Sequence, residues 1–450
     1  MVSTNSLEES WKTLTPDERM EKRFSAWIAA DGIRFASEQA ATDYQARARR
    51  YADAALLKIP DRVPINGFFG GFFAGHYGYS EREVMYDADK AADAALRGNA
   101  EFPTDGRMAV GGDTGTPYDL LDYRLFNWPG HNQDDNVGWQ FVEAEYMPET
   151  EYDDLIEDPS DYWMRVHMPR VFGALNPFAK LSRAVFVIEQ VHVMNYVSRY
   201  GLPEVQAALE TLMRAGSEAL AWQQKLAPVN RRLGELGFPS LQGGQCYAPF
   251  DFIGDTLRGT RGIVVDMYRR PAKLIEATER FTSIMIKMGG SVPLGDCPIV
   301  MIPLHKGADG FMSDEQFKTF YWPSLLKVIQ GLNNEGLMVW LFAEGGYNTR
   351  LETIGESLPK GKTIWHFDLT DMAMAKHALG GIACVMGNVP AAMLYTGAPD
   401  EVSSYCETLI ENAGRGGGFI MSTGAVVGRG AKANNVRAMI EATLKHGVYR

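Results

Sequence analysis

Four side chains able to bind a metal or move a proton lie in or just after apolar runs: His305, Glu344, His366 and Asp368. His305 follows 300–304 (VMIPL) and opens His305-Lys306-Gly307. Glu344 closely follows 337–342 (LMVWLF), with Tyr347, Arg350 and Glu352 just beyond. His366 lies in 363–367 (TIWHF), and Asp368 comes two residues later. On a strand those two point to the same side. Imidazole and carboxylate are zinc ligands, and a catalytic zinc keeps three protein ligands and an open position. Glu344, His366 and Asp368 are the candidate metal set. His366, Tyr347 and His305 are the candidates for catalysis by proton transfer. Each donor also has a structural explanation. His366 can be a buried imidazole bonded to a carbonyl, Glu344 can pair with Arg350, and Asp368 can cap a helix.

Such residues need a scaffold that brings them together. After about residue 240 apolar strand-like runs alternate with helical stretches. The runs are 300–304, 337–342, 363–367, 382–386 and 418–422, and the helices are 313–334, 351–358, 371–379, 401–413 and 433–446. Short continuous apolar strands in a repeated β-α order mean a parallel sheet with both faces covered. The expected fold is α/β, a (β/α)8 TIM barrel whose reactive residues sit at the C-terminal strand ends. Residues 1–58 read as an N-terminal helical extension and 59–450 as the barrel. Thr15-Pro16-Asp17-Glu18 reads as a helix start. Residues 40–59 read as a helix stopped by Pro60, 62–69 as the first strand, and Ser80 as the cap of a helix to about 97. Residues 100–175, with Gly111-Gly112-Asp113-Thr114-Gly115, read as long inserted loops of the kind that serve as lids or binding loops. Residues 178–200 and 204–225 read as helices.

In the run 67–78 four Phe stand among Gly, followed by His-Tyr. Phe69, Phe73, His76 and Tyr77 are candidates to line an aromatic-binding pocket; the alternative is core plus a flexible loop. Arg350, and Asn388 after the run 382–386, are further candidates to hold substrate. The run 414–418 precedes a strand instead of following one, so it reads as a tight turn and not a phosphate loop. Cys384 lies inside a strand and reads as a small buried hydrophobe. No GxSxG or HExxH occurs.

Composition narrows the classes. The 450 residues hold 44 Lys and Arg against 56 Asp and Glu, a net charge of -12, which argues against non-specific nucleic-acid binding. Four cysteines without CxxC make neither a disulfide scaffold nor a Cys-type zinc site. The first ten residues lack a basic and then apolar leader, and no apolar run reaches the ~20 residues that span a bilayer. A cytoplasmic protein without a membrane partner is expected. Twenty-one Met suit a large flat ligand or plastic core filling.

Gly387-Asn388-Val389-Pro390 with Leu394 and Gly397, and the ending Gly417-Gly418-Phe419-Ile420-Met421-Ser422-Thr423-Gly424, resemble segments of the uroporphyrinogen decarboxylase superfamily. Ala248-Pro249-Phe250-Asp251 with Leu257-Arg258-Gly259 resembles its methyltransferase-like branch. So does Pro303-Leu304-His305-Lys306-Gly307 with Phe311-Met312-Ser313 and Phe317. The resemblance covers about residues 55–450. It implies the (β/α)8 barrel, a site at its C-terminal mouth, and a homodimer.

Two activities follow from the resemblance. One is metal-free decarboxylation of uroporphyrinogen, which the family serves with an arginine-rich loop after the first strand. Residues 63–80 here contain no Arg or Lys. The other is zinc-dependent methyl transfer to or from the cobalamin of a corrinoid protein. Its thiol-activating members resemble one another in a His-x-Cys and a Cys on the last strand. Those places read Phe342-Ala343-Glu344-Gly345 and Ser422-Thr423-Gly424 here. With these departures the resemblance implies an O-demethylase component. It moves methyl from a methoxylated, aromatic small-molecule substrate to the cob(I)alamin of a partner corrinoid protein, with zinc as cofactor. The alternatives are a metal-free decarboxylase acting on a less anionic substrate, and a corrinoid- or tetrapyrrole-binding protein without chemistry.

Overall fold

The protein is described from a computed structural model covering residues 11–108 and 112–449. The first ten residues, read above as lacking a leader, lie outside the described residues, as does Gly111 of the glycine-rich run.

Helix α1 (Pro16–Ala29) begins where the sequence indicated. Thr15 Oγ1 accepts from Glu18 N–H, and the Glu18 carboxylate accepts from Thr15 N–H. Its buried residues Met20, Phe24 and Trp27 recur at helical spacing. Helix α2 (Glu38–Ala55), capped by Ser37, buries Ala48, Tyr51, Ala52 and Ala55. The helix expected after Ser80 breaks at Asp87, whose carboxylate caps a second helix, Ala88–Glu101. The single helix expected over 178–200 is also broken. Arg183 pairs with Asp154, Glu157 and Asp161, and the backbone at Leu181 is extended. Only α3 (Gln190–Tyr200) is a full helix there, followed by the long α4 (Pro203–Glu235).

Six parallel strands lie side by side in chain order: β1 (Gly244–Gln245), β2 (Ile299–Leu304), β3 (Met338–Ala343), β4 (Thr363–Phe367), β5 (Cys384–Val389) and β6 (Phe419–Thr423). The expected first strand forms no long ladder, yet it completes the ring. Met421 N–H donates to Pro64 O, and Asn66 N–H to Met421 O, both at 2.9 Å. Asp105 N–H donates to Ile65 O, Arg107 N–H to Pro239 O, and Gly243 N–H to Ile299 O. Residues 63–69 and 104–107 thus stand between β6 and the segment leading into β1, in keeping with a (β/α)8 barrel. Before β6, three consecutive glycines, 416 to 418, take φ of +82°, +80° and +62°, so the run is the tight turn expected.

Strand residues alternate between two cores. Val300, Ile302, Leu304, Val339, Leu341, Trp365 and Phe367 pack outward against the helical shell. Ile299, Met338, Trp340, Ile364, Cys384, Met386 and Ile420 face inward, where α1 and α2 pack against them and cover the N-terminal end of the barrel. Higher in the lumen the Phe68 ring meets Trp340, Phe342 and His366 at centroid distances of 6.0, 4.9 and 5.1 Å. The barrel is therefore filled, and reacting groups belong on its C-terminal rim. No helix among the described residues is long and apolar enough to cross a membrane.

The buried Asp105 carboxylate accepts from Ile65 N–H at 2.7 Å, from Arg50 at 2.5 Å and from Arg62 at 2.9 Å. Removing one partner of a buried pair strands the other charge, at a cost of ~3–5 kcal/mol. Asp105→Ala is expected to lower the urea midpoint by that equivalent, while Asp122→Ala, at an exposed pair with Arg124, changes it by under ~1 kcal/mol.

Candidate active site at the barrel mouth

At the end of β2, His305 N–H and Lys306 N–H both donate to the Asp251 carboxylate at 2.9 Å. Tyr321 OH donates to the same carboxylate at 2.6 Å. Asp251 is fully buried and pins the strand end. Four residues on, Asp255 sits in a π turn (Gly254–Arg258), a local widening that is frequent at functional sites. Its carboxylate accepts from His305 Nδ1 at 2.6 Å and from Lys306 Nζ. A Cβ at Gly254 would come within 2.9 Å of the Lys306 side chain, so glycine makes room for that buried ammonium.

His305 keeps Nε2 toward the opening, 3.7 Å from Glu344 Oε1. Burial alone disfavours its charge. The Asp255 hydrogen bond and the charges of Asp251, Asp255 and Glu344 outweigh burial and raise its pKa to about 9. Asp255 is held below the usual carboxylate range, because His305 and Lys306 overcome the cost of its burial. Glu344 and Asp368 are both shifted upward, chiefly by burial. At neutral pH the mouth thus carries an imidazolium with a free N–H, beside carboxylates.

His366 is placed differently. Its residue pairs with Phe342 and Met386 across the ladder, one pleat below the level of Glu344 and Asp368. It is fully buried, and Nε2–H donates to Thr423 O at 2.7 Å. Burial lowers its pKa to about 4. The ring is neutral and packed under Phe68 and Phe342, so it holds no proton to give at the mouth. Its Nδ1 has no partner among the described residues, and neither do Asn388 Oδ1 and Ser422 Oγ on the next two strands. The metal set does not fit as it stands. Glu344 faces His305, Asp368 accepts from Gly345 N–H at 3.1 Å, and no three His, Cys, Asp or Glu among the described residues gather as a metal site.

Other expected site residues are structural here. Phe69 and Phe73 are buried against Phe72 and Phe102; successive residues of the run point apart, and Phe68 is the ring that reaches the lumen. His76 and Tyr77 lie at the outer surface, bonded to Glu101 at 3.1 and 2.8 Å. Arg350 does not pair with Glu344. It is buried on Met312 O, Asp314 and Gly307 O, and locks the loop after β2. Tyr347 is fully buried beside Gly307, and burial keeps its phenol protonated. Asn388 Nδ2 staples Asp368 O and Thr370 O at 3.0 and 2.8 Å. Asp371, not Asp368, caps the following helix. Asp255 and Lys306 escaped the sequence reading. Their signal was an i, i+4 pair of acids, Asp251 and Asp255, just after a strand. The long loops also hold an aromatic cluster, with Tyr123 stacked on Tyr118 and Phe172 at 5.3 and 4.9 Å.

Residues 238–446, which carry all of these rim groups, match the uroporphyrinogen decarboxylase family. The chain is 27% identical over 182 residues to a uroporphyrinogen decarboxylase of Hamiltonella defensa subsp. Acyrthosiphon pisum (strain 5AT), covering 39% of this chain and 49% of that protein. It is 27% identical over 141 residues to the Photorhabdus laumondii enzyme, covering 30% and 38%. The chain thus spans half or less of the curated relatives it matches. Among solved structures, a methyltransferase from Methanosarcina mazei superposes with a TM-score of 0.57, covering 88% of this chain and 97% of that one. At 14% identity this likeness is one of fold. The uroporphyrinogen decarboxylase match leaves out 63–80, the segment without Arg or Lys.

Imidazole NMR checks the charge arrangement. His305 is expected to titrate near pH 9 in the native chain and near its ordinary ~6.5 in Asp255→Asn, while His366 stays neutral above pH 5 in both. Because the folded pKa of His305 is raised, the stability linked to this pair is complete below pH ~6.5. It fades as the pH rises through about 9. The melting advantage of native protein over Asp255→Asn should shrink across that window.

Proposed function

We propose that this chain is a methyltransferase that takes a methyl group from a methoxylated aromatic substrate and hands it to the cob(I)alamin of a corrinoid protein. The reading draws on the family match and on a barrel fold shared with a methyltransferase. The observation that carries it is the His305–Asp255 pair, an imidazolium held at the mouth with one N–H free.

Methyl–oxygen cleavage needs an acid. The carbon–oxygen pair of electrons stays on oxygen as the methyl passes to cobalt, and a phenolate would depart. His305 Nε2–H supplies the proton, so the product is the neutral phenol. A phenol's pKa of ~10 lies close to the raised pKa of His305, which suits proton transfer. Asp255 then stabilises the imidazolium before transfer and is left bonded to the neutral ring. Lys306 balances the Asp255 charge. Zinc, expected from donor types, is not carried into this mechanism, because Glu344, His366 and Asp368 do not converge. The aromatic loops suit a flat substrate, since rings stack with offset or edge contacts.

A metal-free decarboxylation is the second reading, favoured by the names of the two curated relatives. There His305 would protonate the carbon left after carbon dioxide departs.

Purified protein, chemically reduced cob(I)alamin and a panel of methoxyarenes decide between them. Methylcobalamin should form, and His305→Gln should slow it by ~10²–10⁴-fold. The native rate should stay level to about pH 9 and then fall, with that limb moving toward pH 6.5 in Asp255→Asn. No methyl transfer from any methoxyarene, with carbon dioxide released from an aromatic acid, would overturn the proposal. Metal analysis by plasma mass spectrometry should give the same content for the native chain and for Glu344→Ala and His366→Ala.

A further inference from the structure

Residues 104–107 and the run into β1 are joined through Arg107 N–H and Pro239 O. Beside that joint lies a cavity of about 490 Å³, within the range of small-molecule sites. It reaches from Asn230 on α4 to Phe68 and Trp340 in the lumen. His305, Glu344 and Asp368 do not line it, so a ligand held there is independent of the reaction proposed above. Arg107 is the one charged side chain of the lining. In a chain with 56 acids, a cavity walled by a cation and no acid favours a negative ligand.

The lining is rich in donors that lack partners. The Arg107 guanidinium makes one hydrogen bond among the described residues, from Nη1 to Asn230 O at 3.0 Å. Burial pushes its pKa down, against Tyr44, Cys297 and, last, Asp296. Phenol and thiol are neutral at pH 7, and Asp296 is exposed. Most of the five guanidinium N–H groups are therefore unspent, and a half-buried charge in that state is costly until a partner arrives. Trp340 is 4% exposed, and its indole N–H has no partner among the described residues. Gln242 Nε2 donates to Gln245 Oε1 at 3.4 Å and Gln245 Nε2 to Tyr247 OH at 3.2 Å. Each amide has a second hydrogen to give.

We infer that this cavity binds a small aromatic carboxylate, with the carboxylate on the Arg107 guanidinium and the ring against Phe68 and Trp340. A carboxylate only accepts hydrogen bonds, and its plane matches the guanidinium fork. The indole N–H and the glutamine amides are donors for its remaining lone pairs. One cation matches one negative charge. A phosphate carries up to two and finds no second Lys or Arg in the lining. Phe68 and Trp340 meet edge to face at 6.0 Å, and a flat ligand ring adds to such a pair by offset or edge contacts.

Titration calorimetry of the full chain with benzoate, benzamide and inorganic phosphate tests this. Benzoate should bind, and uncharged benzamide and phosphate should bind more weakly. Arg107→Met should weaken benzoate by about 10–100-fold, the worth of a charge-assisted hydrogen bond. Arg107→Lys keeps the charge without the fork and should fall between. Trp340→Phe keeps a ring, loses the N–H, and should weaken binding by about 3–10-fold. His305→Gln should bind benzoate as the native chain does, whatever the methyl-transfer assay gives. Circular dichroism checks that each variant folds; should Arg107→Met not fold, Arg107→Lys and the benzamide comparison on the native chain decide. A native chain that takes up no benzoate at millimolar concentration overturns the inference, as does one that binds benzamide or phosphate equally well. So does unchanged binding in Arg107→Met, or loss of binding in His305→Gln.

Discussion

Where the barrel's second strand should pair with its first, one carboxylate does part of the joining. Residues 104–107 are too short for a ladder, and Asp105 meets Ile65 twice. Its N–H donates to Ile65 O, and its side chain accepts from Ile65 N–H. A buried carboxylate is tolerable only with compensating charge and hydrogen bonds. Arg62 supplies both from the first segment and Arg50 from α2, and Arg50 also holds Asp61. Closure of the ring and attachment of the N-terminal helices therefore share one buried charge. The helices cannot leave without exposing the inward residues of β2–β6 and stranding Asp105.

Sealing from below decides where chemistry can occur. With α1 and α2 under the lumen and Phe68, Trp340 and Phe342 within it, a polar group can meet solvent only at the strand ends. His366 and His305 illustrate the consequence. His366 lies within a strand and His305 just past the end of one, and both are imidazoles. Burial dominates at His366, whose one hydrogen bond is to a carbonyl, and the ring is neutral. At His305 burial is outweighed by carboxylates on either side, and the ring is charged. One pleat and two acids separate a core residue from an acid poised to donate.

The sequence made the second half of the barrel legible because each strand is a short apolar run with a helix behind it. Strand β4 and the last helix fall where expected and most others start within a residue or two, while β5 runs three residues further than expected. The first half was harder to read. Its strand segments are held by scattered bonds and by the Asp105 side chain, which leave no periodic signal. Site residues were legible as positions but not as directions. His305, Glu344 and Asp368 were read at the rim and lie there. His366 was read beside Asp368 because the two share a face, yet sharing a face does not put two residues at the same depth. Phe69 and Phe73 were read as pocket lining because aromatic runs beside glycine suit rings. Alternation along an extended segment instead gave the lumen to Phe68. Asp255 went unread because its partner, His305, is fifty residues away.

The charge of the mouth bears on what can enter it. A porphyrinogen with many carboxylates needs several free cations, since charge-assisted contacts carry such recognition. The segment 63–80 supplies none, and its Phe rings already fill lumen and core. On the opposite wall Lys306 is committed to Asp255 and Arg350 to the loop after β2. Among the described strand-end residues of β2 to β4 this leaves the His305 imidazolium facing Glu344, with Asp368 on the next strand. That balance disfavours a polyanion and favours an uncharged substrate that acquires negative charge at a single atom as it reacts. Cleavage of an aryl methyl ether has that property. In the proposed reaction the charge would appear on the ether oxygen, where one positioned proton would meet it.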